Sequence, residues 1–453
     1  MAAETQESFL PSWSLKTEGA IGPEERLPWG QTIAVGVQHV VAMFGATVLA
    51  PLLMGFDPNV SILFSGIGTL IFFFIVGGRV PSYLGSSFSF IAVVIAASGY
   101  AGSGPNGHID VALGGIIAAG ALYALIGIVV MFTGYRWIQY LMPPVVTGAV
   151  VAVIGLNLAP IAVKGVSASG FDTAIGLITV LGVGFVAVFA PGVLRRLPVL
   201  LGGILGYIVY LIATNGMGLG KPIDFTGLAS AAWFGAPNFS SPVFTGSAIA
   251  LIAPVAIILV AENLGHVKAV GAMTGRDLDK YLGRAFFGDG LATMIAASGG
   301  GTGVTTYAEN IGVMAVTKIY STLVFVVAAI VAILLGFSPK FGALILTIPG
   351  PVIGGLSLVV FGLITATAGR IWVQNAVDFS NARNLVVVAV TLTAGAGDLA
   401  LKFGGFSLGG IGTATFGAII LYHILNGGGE QPDEASVADG AVGQARTSRP
   451  VTR

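Results

Sequence analysis

The chain has 453 residues, 55% hydrophobic and 9% charged, with a mean hydropathy of +0.93 and a formal net charge of zero. So small a charged fraction excludes an ordinary soluble domain, and the even charge balance gives no footing for nucleic acid. The lack of cysteine excludes disulfides, thiolate metal sites and thiol nucleophiles, which leaves a polytopic membrane protein rich in glycine.

Residues 1–29 hold five glutamates with Pro11, Pro23 and Pro28, and lack the basic and apolar regions of a secretory signal. They are predicted to stay as a cytoplasmic leader. Apolar runs then begin near residues 31, 58, 84, 111, 138, 172, 197, 246, 285, 305, 319, 342, 384 and 407, which makes fourteen candidate crossings. Those at 84, 285 and 305 are short or polar for a span that needs about 20 residues. If all fourteen cross from a cytoplasmic N-terminus, sixteen of the twenty basic residues, including every arginine, fall inside; only Lys164, Lys221, Lys340 and Lys402 fall outside. Dropping the segment at 84 sends Arg136, Arg195 and Arg196 outward, and dropping that at 305 does the same to Lys318, Arg370 and Arg383. Both are therefore predicted to cross. The polar, low-complexity stretch 427–453 is predicted to be a disordered cytoplasmic tail.

A repeat supports the same count. PVVTGAVVAVIGL (144–156) and PVIGGLSLVVFGL (351–363) agree at six of thirteen positions. Fourteen spans then divide into seven plus seven, and an odd number per copy inverts the second copy. Segments three and ten, LGSSFSFI (84–91) and TTYAENIG (305–312), become a corresponding pair of interrupted spans, the kind that meets near the bilayer midplane to form a site.

Ionisable groups inside spans each cost about 2.5–3.5 kcal/mol if they face lipid at the centre, so each is suspected of facing a site or a partner. Gln38 and His39 in the first span fit interhelical bonding as well as function. Glu262 and His266 stand one helical turn apart, on one face, where a carboxylate and an imidazole can share a proton. Glu309, followed by Asn310, sits in the broken tenth segment. Asp289 and Asp398 lie near predicted span ends, where caps or interfacial positions explain them better than chemistry; His108 and His423 carry little weight. GGGTG (299–303) lacks the Lys and Ser/Thr of a phosphate loop, and no metalloprotease, nucleophile-elbow or Cys/His motif appears, so neither an enzyme, a metal nor a cofactor is indicated.

Phe88 and Phe90 beside glycine and serines offer an aromatic face next to freed backbone N–H groups, and Glu262 with Glu309 offers acceptors. The combination suits a planar ligand with N–H donors and C=O acceptors, such as a nucleobase. Two carboxylates oppose an anionic substrate. A channel would need polar groups strung along several helices, and here they cluster at two breaks.

ENIGVMAVTK (309–318) resembles the signature of the nucleobase–ascorbate transporter (NCS2) family. QHVVAMFGATVLAP (38–51), GSSFSFI (85–91) and AENLGH (261–266) are similar to the bacterial uracil permeases, and the likeness extends over about residues 25–425. Glu at 309, where purine carriers usually have Gln, points to the uracil and pyrimidine branch, with a xanthine or urate carrier as the alternative.

The resemblance implies an all-α fold of fourteen transmembrane segments in 7+7 inverted repeats, with short antiparallel strands in broken segments 3 and 10. It implies a core domain (30–135 and 241–339) and a gate domain (136–240 and 340–426). It also implies proton symport of uracil, and in reach thymine and other pyrimidines, through the bacterial inner membrane, with both termini cytoplasmic and a homodimer formed through the gate domains. By position, Glu262 and Glu309 correspond to the carboxylates that hold uracil, and His266 to a histidine of proton coupling with them. Phe88 and Ala308 correspond to donors of main-chain amides, Tyr307 and Ala46 to pocket walls, and Phe361 to a gate-side tyrosine. The chain departs from the family pattern at Ala308, usually glycine; at Asn263, usually histidine; and at Phe361, which lacks the hydroxyl.

Overall fold

The computed structural model describes residues 9–102, 104–192, 194–403 and 406–426; the tail 427–453 and the first eight residues of the leader lie outside the described residues. The leader forms two short parallel strands, β1 (Ser14–Leu15) and β2 (Glu25–Arg26). Helices α1 (Trp29–Ala42), α2 (Phe44–Met54) and α3 (Pro58–Ile75) follow. Strand β3 (Leu84–Ser86) leads through a 3-10 turn, Phe88–Phe90, into α4 (Ile91–Ser98), and then α5 (Ile109–Thr133). The apolar run at 138 resolves into two helices, α6 (Arg136–Leu141) and α7 (Pro144–Val166). Pro143 and Pro144 divide them, because a residue before proline is pushed out of the helical region.

Next come α8 (Gly170–Phe189), α9 (Pro198–Leu211) with a π turn at Ile212–Gly216, and α10 (Thr226–Ser230). Helices α11 (Gly246–Ile252), α12 (Val255–Thr274) and α13 (Leu282–Ser298) precede strand β4 (Val304–Thr306), which opens into α14 (Ala308–Thr317). The chain closes with α15 (Thr322–Gly336), α16 (Pro339–Leu346), α17 (Gly350–Gln374), α18 (Ala382–Ala396), the hairpin β5 (Leu401–Phe403) and β6 (Phe406–Leu408), and α19 (Gly410–Leu425).

Among the described residues, eight helical spans are long and apolar enough to cross a membrane, or nine if α15 and α16, bent by 80°, are one. Shorter apolar helices run over Phe88–Ser98, Ala382–Ala396 and Gly410–Leu425. The protein is a helical, polytopic membrane protein.

Two helical bundles result. In the first, α13 packs on α5 and α3, and α15 on α3 and α1; in the second, α17 packs on α7 and α8, and α18 and α19 pack on α7. Small residues set the closest approaches. A Cβ at Gly127 would meet Phe287 N at 2.4 Å, and one at Gly290 would meet Ala124 N at 2.4 Å, so the α5 and α13 backbones touch along a seam that tolerates no side chain. In the second bundle a Cβ at Gly155 would lie 2.3 Å from Phe361 O, which fixes α7 against α17 beside Phe361.

The leader straps the first bundle at the ends of α3, α12 and α14. Ile21, 1% exposed, donates its N–H to Lys318 O (2.9 Å) and accepts from Tyr320 N (2.7 Å). Trp13 Nε1 donates to Thr322 Oγ1 (2.9 Å), and its ring stacks on Phe73. Glu24 pairs with both Arg276 and Arg79. Partial burial works the other way, but the two guanidinium groups hold the Glu24 carboxyl below its ordinary value.

A candidate substrate site at two broken spans

The site begins with backbone that cannot stay unpaired at membrane depth. Strands β3 and β4 satisfy each other as an antiparallel pair, with Leu84 opposite Thr306 and Ser86 opposite Val304. Their outer edges are closed by one threonine each. Thr69 Oγ1 of α3 accepts from Leu84 N (2.9 Å) while its own proton goes to Ser65 O (2.8 Å). Thr293 Oγ1 of α13 accepts from Val304 N (3.1 Å) and donates to Val304 O (3.0 Å). The two pins occupy matching places on the two strands, and neither threonine stood out in the sequence, where a lone hydroxyl in an apolar run is unremarkable.

Each strand then runs into a helix start. Ser87 caps the first, accepting from Ser89 N, and Phe88 is the first residue of the turn that becomes α4. Tyr307 precedes the second in extended conformation, and Ala308 and Glu309 form the first turn of α14. The first N–H groups of a helix have no partner within it, so Phe88 and Ala308 both present main-chain donors at a positive helix end. A carboxylate in the first turn, Glu309, sits where that dipole favours it.

Around these ends the structure gathers most of the expected residues. Glu262 of α12 is half-buried, its Oε2 without a hydrogen-bond partner among the described residues, and α12 packs against α14, which carries Glu309. Ala308 and Glu309 are exposed, Ala46 and Tyr307 are buried. His266 is one turn from Glu262, yet its Nδ1 lies 2.9 Å from Thr306 Oγ1, so the imidazole is oriented by β4. Phe361 of α17, 2% exposed, meets the Phe88 ring edge-on at 5.9 Å, which joins the second bundle to the first break. Exposed positions continue along α12 at Gly265, Ala269 and Ala272, and along α14 at Gly312 and Val316.

Of the remaining polar residues, His39 is fully buried and receives Asn310 Nδ2 at Nδ1 (2.9 Å) and at its carbonyl (3.2 Å), so α14 is tied to α1. Asp398 behaves as a turn residue, its Oδ1 accepting from Gly410 N (3.0 Å) and Asn157 Nδ2 (3.2 Å). Asp289 corrects the expectation of a cap or interfacial place. It is wholly buried inside α13 and accepts from Asn263 Nδ2 (2.6 Å) and the Tyr123 hydroxyl (3.4 Å), while Asn263 Nδ2 also reaches Tyr123 (2.8 Å). Asn263 is therefore an anchor for this carboxylate, one residue from Glu262. Sequence reasoning placed Asp289 near an end because its apolar run begins near residue 285. No group of three or more His, Asp or Glu residues able to hold a metal occurs among the described residues.

The model of the Permease family matches residues 30–402. RutG of Escherichia coli (strain K12), provisionally named a pyrimidine permease, is 66% identical over 421 residues, covering 92% of this chain and 95% of its own. The uracil permease of the same strain is 40% identical over 413 residues, covering 88% and 92%. Among solved structures, the transmembrane domain of the cyanobacterial bicarbonate transporter BicA is similar in fold alone, with a TM-score of 0.59, 18% identity and coverage of 81% of this chain and 96% of that one. With residues 30–402 matched and relatives this similar along nearly their whole lengths, the chain belongs to the Permease family, the NCS2 transporters that its signature resembles, and is a membrane transporter rather than an enzyme.

Proposed function

We propose that this permease imports uracil, with thymine and other pyrimidines in reach, by proton symport across the bacterial inner membrane. The observation that carries the reading is the convergence of two helix starts, Phe88 and Ala308, on α12, which brings Glu262 and Glu309 to the same break. Ring N–H groups of uracil match the carboxylates and its carbonyl oxygens match the main-chain amides, while Phe88 and Phe361 cover the ring faces and Ala46 and Tyr307 close the wall. The names of the curated relatives agree with this choice.

Packing supports a core domain (30–135 and 241–339) that carries the site and a gate domain (136–240 and 340–426) that closes on it through Phe361. The paired threonine pins and the paired breaks support fourteen crossings in two inverted sevens, both termini cytoplasmic. The exposed stripe from Glu309 along α14 and α12 is made of Gly, Ala and Val. Small side chains leave room beside Glu309, and we read the stripe as its water-accessible route toward the cytoplasm. In the mechanism, protonation among Glu262, Glu309 and His266 removes charge before the site passes through a dry state, and core moves against gate to give alternating access.

Uptake of labelled uracil into proteoliposomes tests the reading. An inward-directed proton gradient should accelerate accumulation several-fold, and thymine should compete better than xanthine. Uptake indifferent to the gradient would sink symport, and dominance by xanthine would move the substrate to the purines.

A further inference from the structure

Tyr307 is placed to wall the pocket, but its hydroxyl is already committed. It donates to Ser86 O of the first break at 2.7 Å. A phenol has one proton, so the remaining contact, 3.1 Å to Thr47 Oγ1, has the threonine as donor. Thr47 is fully buried in α2, next to Ala46, and Tyr307 is 4% exposed. The three elements meet without slack: a Cβ at Gly85 of β3 would stand 2.4 Å from Thr47 Oγ1 and 2.5 Å from the Tyr307 ring. Tyr307 is also the residue on which α14 begins, so whatever fixes its ring fixes the Ala308 amide and the Glu309 carboxylate. The first break is held differently: Ser87 caps its own helix, and its N–H donates to Gly303 O of the second break (2.9 Å).

Building on the uracil reading above, we propose that Thr47 is a positioning residue for substrate binding. It holds the Tyr307 hydroxyl, and through it sets the start of α14 against the first break at the geometry a pyrimidine requires. Tyr307 thereby acts as a strut whose hydroxyl is closed to substrate.

Thr47→Val keeps the shape and removes the donor; Thr47→Ser keeps the donor. Uracil uptake kinetics in proteoliposomes and equilibrium uracil binding are measured for both. One lost hydrogen bond predicts a KM and a Kd raised by roughly 3- to 10-fold in T47V, with kcat and folded yield within about twofold of wild type, and recovery in T47S. A wild-type KM in T47V, or a T47S as impaired as T47V, overturns the proposal. If T47V does not fold, Tyr307→Phe carries the test, because it removes both bonds from the other end; a wild-type KM there overturns it equally. A wild-type protein that binds no uracil fails the substrate reading instead, and the same comparison is then scored with the nucleobase it does bind.

Discussion

The two breaks share a plan and differ in content. Both consist of a three-residue strand, an edge threonine from a neighbouring helix and a helix start at the end of the strand. The break at β3 then supplies aromatic rings and an uncharged cap, Ser87, whereas the break at β4 supplies Glu309, orients His266 through Thr306, and is tied to α1 and α2 by Asn310 and Tyr307. The shared plan solves a problem of backbone solvation in lipid; under the proposed function the β3 half covers the ring and offers the Phe88 amide, and the β4 half adds the carboxylate.

Substitutions at the two helix starts should break the comparison most strongly. Glu309→Gln removes a charged acceptor and is expected to raise the uracil KM by roughly 10- to 100-fold, consistent with about 1.5–3 kcal/mol for a hydrogen bond to a charged group. Ser87→Ala at the other start should leave uptake within a few-fold of wild type. Equal losses at both positions, read from uptake kinetics, would show that the breaks are not functionally divided.

The pins test the shared part. Thr69→Val and Thr293→Val each leave a buried strand N–H without its threonine acceptor, at a cost of about 1–3 kcal/mol per unsatisfied group. Each should lower the melting temperature by several degrees, and by similar amounts in a detergent thermal-unfolding assay. A loss at one position alone would mean that the two breaks are held by different means.

This part of the molecule was legible in the sequence only to a degree. Charge parity assigned crossings at 84 and 305, although neither contains a long helix. Strand β4 covers about 10 Å at ~3.3 Å per residue and α14 about 15 Å at 1.5 Å per residue, close to the ~30 Å of hydrocarbon, so a short segment can reach far. Glu262, His266 and Glu309 were visible because charge in an apolar run is expensive. Thr47, Thr69 and Thr293 were not, because hydroxyls cost little in a helix and their partners lie far along the chain. Asp289 misled because it lies close to the start of its apolar run, and only the packing of α13 against α5 and α12 shows Tyr123 and Asn263 reaching it.

The smallest expected effect lies outside the membrane. Glu24 has a lowered folded-state pKa, so its contribution to stability is fully present above its ordinary value of about 4.5 and is lost as pH falls through the lowered value. The strap should be indifferent to pH between 5 and 8. Glu24→Gln is expected to lower the melting temperature by no more than a degree or two, because partly exposed ion pairs contribute little, and to leave uracil KM unchanged. A changed KM would mean that the leader reaches the α14 break.

The central claim is that the half-site at β4 holds a pyrimidine through its carboxylate. Isothermal titration of purified protein with uracil, for wild type and Glu309→Ala with matched melting temperatures, tests it most directly. The account predicts saturable binding to wild type and binding at least tenfold weaker in the variant; equal affinity in the two would contradict it.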